Sequence, residues 1–247
     1  MKPLVSIIIV KYQSEKYLAD CLASIGKNPK WEIIIIDNDQ ENIGYGAGCN
    51  RGAEKAKGKY LFFLNPDTVV QSGAIEELIR FLENNEDVGI SAPLLLDKDK
   101  KPYSFQGTDE LTPLTAIFAL SFINKFWPNN PISKKYWLVD WDKKSPREIA
   151  VVPGTALMIR RVVFRKVGGF DENFFLYFEE SDLCKRVRKA GWKIFFQPKA
   201  KVIHFWGKSG EGKKENKKIF RESRFYFLKK HYGFLSALLV EIFLRGF

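Results

Sequence analysis

Short, nearly continuous apolar runs alternate with segments whose apolar positions fall three and four residues apart over the first hundred residues. Leu4–Val10 is β-branched throughout apart from Leu4 and Ser6, as expected of a strand buried on both faces of a parallel sheet. Ser14 then stands where a helix cap is expected, ahead of Tyr17, Leu18, Cys21, Leu22 and Ile25 on one helical face, with Gly26 as the stop. Trp31–Ile36 predicts a second strand, ending at Asp37-Asn38-Asp39. The small residues of Gly44–Lys57 predict a tightly packed helix, and Tyr60–Leu64 a third strand that stops at Asn65-Pro66-Asp67. Ser72 is placed to cap a helix bearing Ile75, Leu78, Ile79 and Leu82, and Val88–Pro93 reads as a fourth strand.

This alternation predicts an α/β fold with a doubly wound, mainly parallel sheet. Ligands of such sheets bind beyond the carboxyl ends of the strands. Polar clusters stand at three of those ends: Lys11-Tyr12, Asp37-Asn38-Asp39 and Asn65-Pro66-Asp67. Residues 97–150 break the pattern with five prolines and many aromatics, and only Leu114–Phe126 has helical spacing. They read as an insertion over the strand ends. A strand over 154–159, helices over Arg161–Val167 and Asp182–Ala190, and strands Lys193–Phe196 and Lys201–Phe205 complete the expected body, residues 1–210. A basic and then apolar helical extension, 211–247, follows it.

Composition narrows the class. With 247 residues, 45% of them hydrophobic and 15% aromatic, the chain can bury a large core. Forty basic against 29 acidic residues give a formal charge of +11, which suits phosphate-bearing ligands as well as a solvated surface. None of the usual nucleic-acid-binding modules is apparent, so no nucleic-acid partner is expected. Cys21, Cys49 and Cys184 show neither metal-site spacing nor a disulfide framework, which suits a reducing cytosol. No run reaches the roughly 20 apolar residues of a membrane span.

Three segments could carry chemistry. Asp67, just past a strand, can bind a divalent cation that also touches a diphosphate, or simply shape a proline turn. Glu179-Glu180-Ser181-Asp182 crowds three carboxylates, which can raise one pKa toward general-base use or serve the positive end of a helix. His204, at a strand end, can ligate Mn²⁺ or pack as a core histidine. The glycines between Asn42 and Gly52 allow close approach to phosphate but follow the second strand. They therefore do not make a dinucleotide fingerprint.

Taken in order, these stretches resemble the inverting GT-A-fold glycosyltransferases of family 2, in particular their rhamnosyltransferase-like branch. The matching segments are Val5–Tyr12, Ile35–Asn38, Asn42–Gly52, Phe62–Asp67, Gly154–Ala156, Val167–Glu172, Phe174–Asp182, Arg186, Ala190–Trp192 and His204. The resemblance implies an enzyme that moves a sugar from a dTDP-, UDP- or GDP-linked donor to a hydroxyl of a glycan or lipid-linked acceptor in the cell envelope. It implies donor contacts from Val10, Tyr12, Asp37, Asn42, Gly44, Asn50, Asn65 and Asp67. It implies a Mn²⁺ or Mg²⁺ ion on Asp67 and His204, with Asn65 replacing the first Asp of the family's Asp-x-Asp motif. Its catalytic base falls at Glu180, where the family carries Asp, with Glu179 beside it and Asp182 as the second candidate. A nucleotidyltransferase, or a non-catalytic protein of the same fold, is the competing reading.

The segment 213–247 interleaves lysines with aromatics and ends in an apolar stretch interrupted by Glu241 and Arg245. It suits a peripheral anchor on an anionic membrane surface at the cytoplasmic face. A helix docked on the core, or a dimer contact, would use the same pattern.

Overall fold

A computed structural model describes residues 2–128, 130–205 and 213–244. Trp206, Gly207, Arg245 and the expected boundary at 210–211 lie outside the described residues. The first half follows the expected alternation, β1 (Val5–Lys11), α1 (Glu15–Ile25), β2 (Trp31–Asp37), α2 (Tyr45–Lys55) and β3 (Tyr60–Leu64), then adds an unexpected short strand, β4 (Thr68–Val70), before α3 (Ala74–Asn84) and β5 (Val88–Leu96). The insertion contributes α4 (Pro113–Leu120), α5 (Phe122–Phe126), α6 (Pro131–Tyr136) and β6 (Arg147–Glu148). Then come β7 (Ala156–Arg160), α7 (Arg161–Lys166), α8 (Glu179–Lys189), β8 (Lys193–His204), α9 (Lys213–Tyr232) and α10 (Phe234–Leu244).

The strands form one sheet in the order β2-β1-β3-β7-β5-β8-β4, with β6 on β8. β1, β2, β3, β5 and β8 run one way, and the short β4, β6 and β7 run against them. The β1–β2 register sets Lys11 opposite Asp37, which fixes an ion pair at the mouth of the sheet. One apolar layer packs α2, α7 and α8 on one face of the sheet, and a second packs α1 and α3 on the other. A third core joins the insertion to the C-terminal hairpin, burying Leu111, Ala116 and Tyr136 against Phe174, Phe227, Leu228 and Val240. α9 is thus docked on the body along its inner side.

Several local expectations change. Ser14 precedes α1 without a side-chain cap bond, and α3 starts after Gly73 (φ +78°), leaving Ser72 outside its cap. The two expected C-terminal strands are one, β8, because the irregularity at Pro198 shifts the register against β5 without ending the pairing. β2 is an edge strand, so Ile33 and Ile35 stay 40% and 42% exposed despite the apolar run. α8 begins at Glu179, not Asp182, which brings all three carboxylates into its first turn.

Candidate active site

A cavity of about 460 Å³ opens at the carboxyl ends of β1, β2 and β3. Val10, Tyr12, Gln13, Asn38, Asn42, Gly44 and Tyr45 line it from the first half of the chain, with Asn65 and Pro66 beside them. Phe175–Tyr177 and, from α9, Glu215, Asn216 and Ile219 close it. Its volume is within the range that holds small ligands and cofactors.

The first wall is built on charge. Lys11, buried at the end of β1, pairs with Asp39 at 2.8 Å, with Asp37 at 3.0 Å, and with Glu15. The bonds to Asp39, Glu15 and Asp37 hold its ammonium well above the usual lysine range. Asp37 is depressed by the Asp39 backbone N–H first and by Lys11 next. Its carboxylate therefore turns to Lys11, and Asp37 is not a wall residue. Asn38 takes the inward position instead, 2% exposed, donating Nδ2 to the Gly44 carbonyl at 3.2 Å. The extended backbone sends neighbouring side chains to opposite sides, and the register gives Lys11 to Asp37.

The glycine segment works through close approach. Gly44 has φ +87°, and a Cβ there would meet the Phe175 carbonyl oxygen at 2.5 Å. That contact lets Tyr45 N–H bond Phe175 O at 3.0 Å and ties α2 to the loop before α8. Gly52 lets α2 lie on β1, since a Cβ would stand 2.4 Å from Ile8 Cγ2. Asn42 caps the turn by accepting from Gly44 N–H at 3.1 Å. Asn50, expected at the donor, has a structural task. It accepts from Phe170 N–H at 2.9 Å and donates to Phe170 O and Glu172, away from the cavity.

Asp67 and His204 come together through strand pairing. β4 lies antiparallel on β8 with Thr68 opposite His204, and Asp67 O accepts from Phe205 N–H at 2.9 Å. Asp67 Oδ1 then lies 3.4 Å from His204 Nε2. Two adjacent ligands of one octahedral cation would stand about 3 Å apart, so a carboxylate and an imidazole at this spacing fit a shared hard-to-borderline cation. Both residues are nearly buried, at 1% and 8%, next to the wall residues Asn65 and Pro66. Among the described residues no three His, Cys, Asp or Glu side chains gather as a metal group, so phosphate and water would complete such a shell. Tyr103 Oη donates to the His204 carbonyl at 2.7 Å and steadies that strand end.

The acids arrive from the other side. Tyr177 and Phe178, at φ +69° and +67°, hold two successive non-glycine residues in the left-handed region, at about 1–3 kcal/mol each. This turn carries the chain from the cavity wall into α8. Glu179 is 4% exposed, and its Oε2 has no hydrogen-bond partner among the described residues. Burial, reinforced by the neighbouring Glu180 charge, pushes its carboxyl well above the usual range, and burial raises Glu180 as well. Burial also raises the Tyr45 hydroxyl, with Cys49 and then Glu179 and Glu180 adding to it. Tyr45 Oη donates to Gly154 O at 2.9 Å, Glu180 packs beside Gly154, and Thr155 O accepts from Asn65 N–H at 2.9 Å. One short chain segment therefore bridges Asn65 and the acids.

Asp182 does not share this environment. It is fully buried, with Lys230 at 2.6 Å, Arg186 at 2.7 Å and His231 at 2.8 Å. Against the upward push of burial, His231, Lys230 and Arg186 hold its carboxyl below the ordinary value. Lys230 also pairs with Asp171 at 2.7 Å, so the cluster fastens α9 to α8. That commitment leaves Asp182 no free oxygen for an acceptor hydroxyl, whereas Glu179 and Glu180 are not tied up in ion pairs among the described residues.

The family model described as Glycosyltransferase like family 2 matches residues 2–208. The chain belongs to this family. It is 29% identical over 211 residues to an N-acetylglucosaminyl-diphospho-decaprenol L-rhamnosyltransferase of Mycobacterium tuberculosis, covering 80% of this chain and 68% of that one. It is 24% identical to the rhamnosyltransferase WbbL of Escherichia coli K12, covering 94% and 93%. Among solved structures, GalNAc-T7 with UDP, GalNAc and Mn²⁺ aligns with a TM-score of 0.60 at 18% identity, over 83% of this chain and 44% of that one. S. aureus TarS 1–349 in complex with UDP aligns at 0.54 and 15% identity, over 94% and 74%. The fold is therefore that of GT-A glycosyltransferases. The wall residues to which the sequence assigned no role are Gln13, Asn38, Tyr45, the 175–177 turn and the α9 wall. Of these Asn38 had a signal in its strand-end cluster, and Tyr45 and the 175–177 turn in the segments that match the family, whereas Gln13 and the α9 wall had none.

Proposed function

We propose that the protein transfers a sugar, rhamnose or a close relative, from a nucleoside-diphosphate donor to a hydroxyl of a glycan or lipid-linked acceptor, with inversion. The single supporting observation is a cavity walled on one side by Asn65 and Pro66, next to Asp67 with its partner His204, and on the other by the 175–177 turn that leads directly into Glu179 and Glu180. In this reading Val10, Tyr12, Asn38 and Gly44 seat the donor. Asp67 and His204 would hold a Mn²⁺ or Mg²⁺ ion, which when bound supplies charge neutralisation to the leaving diphosphate. Glu180 accepts the proton of the acceptor hydroxyl as its oxygen bonds to the anomeric carbon. The bond from that carbon to the diphosphate oxygen breaks with its electron pair on the diphosphate. A single displacement needs no covalent intermediate, and the raised Glu180 carboxyl suits a group that must gain a proton. A lipid-linked acceptor places the enzyme at the cytoplasmic face of a membrane, bound peripherally. Among the described residues no helix is long and apolar enough to cross one.

The test is a thermal-shift panel of dTDP-, UDP- and GDP-sugars with Mn²⁺ or Mg²⁺, followed by transfer assays. Asp67→Ala and Glu180→Gln should each lower turnover by roughly 10²–10⁴-fold with the fold retained. Turnover near that of the wild type in both purified variants refutes the reading.

A further inference from the structure

Helix α10 hides its one carboxylate and shows no charge on its outer side. Glu241, the sole carboxylate on α10, turns inward and is bound by the buried Arg224 guanidinium at 2.7 and 3.0 Å. Arg224 and Glu241 are both 8% exposed. The outward positions of α10 are then wholly apolar. Leu235 is 79% exposed, Leu238 37%, Leu239 49% and Ile242 57%, and their spacing puts them on one stripe. The insertion extends the stripe. Phe122 on α5 stacks on Phe243 with ring centroids 6.0 Å apart, and the next exposed rings are Phe126 at 82% and Trp127 at 55%. Contiguous apolar surface of this kind marks an interaction site.

Two features select the occupant. α10 is packed on the body through Ala237, Val240, Leu244 and the Arg224–Glu241 pair, so its outer stripe meets any occupant side-on. The exposed Lys125 stands on α5 and the exposed Lys229 beside the hairpin turn, in a chain of formal charge +11. In a two-fold dimer the same patch meets itself and like charges face each other, whereas an anionic leaflet complements them. From this arrangement we infer that the outer face of α10, with Phe126 and Trp127, is the surface that seats the protein on an anionic lipid bilayer. The inference deepens the lipid-linked reading above by assigning the membrane contact to this face, while α9 is held against the catalytic helix by Lys230 and His231.

The experiment is co-sedimentation of the full chain with vesicles of equimolar phosphatidylglycerol and phosphatidylcholine, and with phosphatidylcholine alone. The wild type should pellet with the anionic vesicles and be released by high salt. The triple substitution Leu235→Asn, Leu239→Asn, Ile242→Asn removes apolar surface that is already solvent-exposed and should weaken partitioning by roughly a hundredfold. Its melting temperature and its rate of donor hydrolysis should match the wild type, which separates lost binding from lost folding. Equal binding by the triple variant, or no binding by the wild type, overturns the assignment. So does a wild-type dimer that the triple variant converts to a monomer while neither pellets. Transfer to a polyprenyl-diphosphate acceptor, measured in parallel, judges the functional reading alone: vesicle binding without transfer sinks that reading and supports the surface.

Discussion

Replacing Asp182 with Asn separates the structural acid of α8 from the chemical one. The Asp182 carboxylate is fully buried and has Lys230, Arg186 and His231 between 2.6 and 2.8 Å. Asn keeps the shape but removes the charge, leaving buried cations partly uncompensated. Breaking a buried pair from one side costs about 3–5 kcal/mol. Lys230 retains Asp171, and Arg186 retains the Val167 carbonyl, so the lower end, about 3 kcal/mol, is expected. For a chain of this size that is a fall in melting temperature of roughly 6–12 °C. Circular dichroism at neutral pH reads it directly. Glu180→Gln should behave in the opposite manner, with transfer falling roughly 10²–10⁴-fold and melting unchanged or higher, since a carboxylate disfavoured by burial becomes neutral. Assayed well below its melting point, Asp182→Asn should keep most of its turnover. A variant that melts within about 2 °C of wild type yet has lost transfer would show Asp182 to be the base and refute the division of labour.

His204→Ala should raise the Mn²⁺ concentration needed for half-maximal transfer by roughly 10–100-fold, because Asp67 would be left as the one protein ligand of the pair; a metal titration of activity checks it. Glu179→Gln should stabilise the protein at neutral pH by about 1 kcal/mol, and the gain should vanish in acid. The folded Glu179 carboxyl is raised, so its ionisation opposes folding, beginning above the ordinary value of about 4.3 and complete above the folded value. Urea midpoints at pH 4 and pH 8 measure the difference, and a gain independent of pH contradicts the cause. Gly52→Ala places a Cβ against Ile8 and should cost about 1–3 kcal/mol by urea unfolding, without a change in KM for the donor.

The sequence by itself determined the long strands of the first half but not the short β4, the three polar strand ends, and Asp67, His204 and Glu180 as residues to watch. Periodicity is a local property, and an apolar run followed by Asp or Asn already says where a sheet ends in solvent. It could not decide which member of each polar cluster faces the cavity. Asp37 and Asn38 are adjacent and both polar, and the β1–β2 register gave one to Lys11 and the other to the wall. Nor could it separate Glu180 from Asp182, whose difference lies in Lys230 and His231, brought in by a helix some 50 residues later. The family resemblance implied a donor contact from Asn50, whereas the fold uses it to hold the 170–172 turn. Glu241 looked like an interruption of an apolar helix until Arg224 buried it. In each case the residue's chemistry is written in the chain, but its charge state and direction follow from partners distant in sequence, and only tertiary packing supplies those.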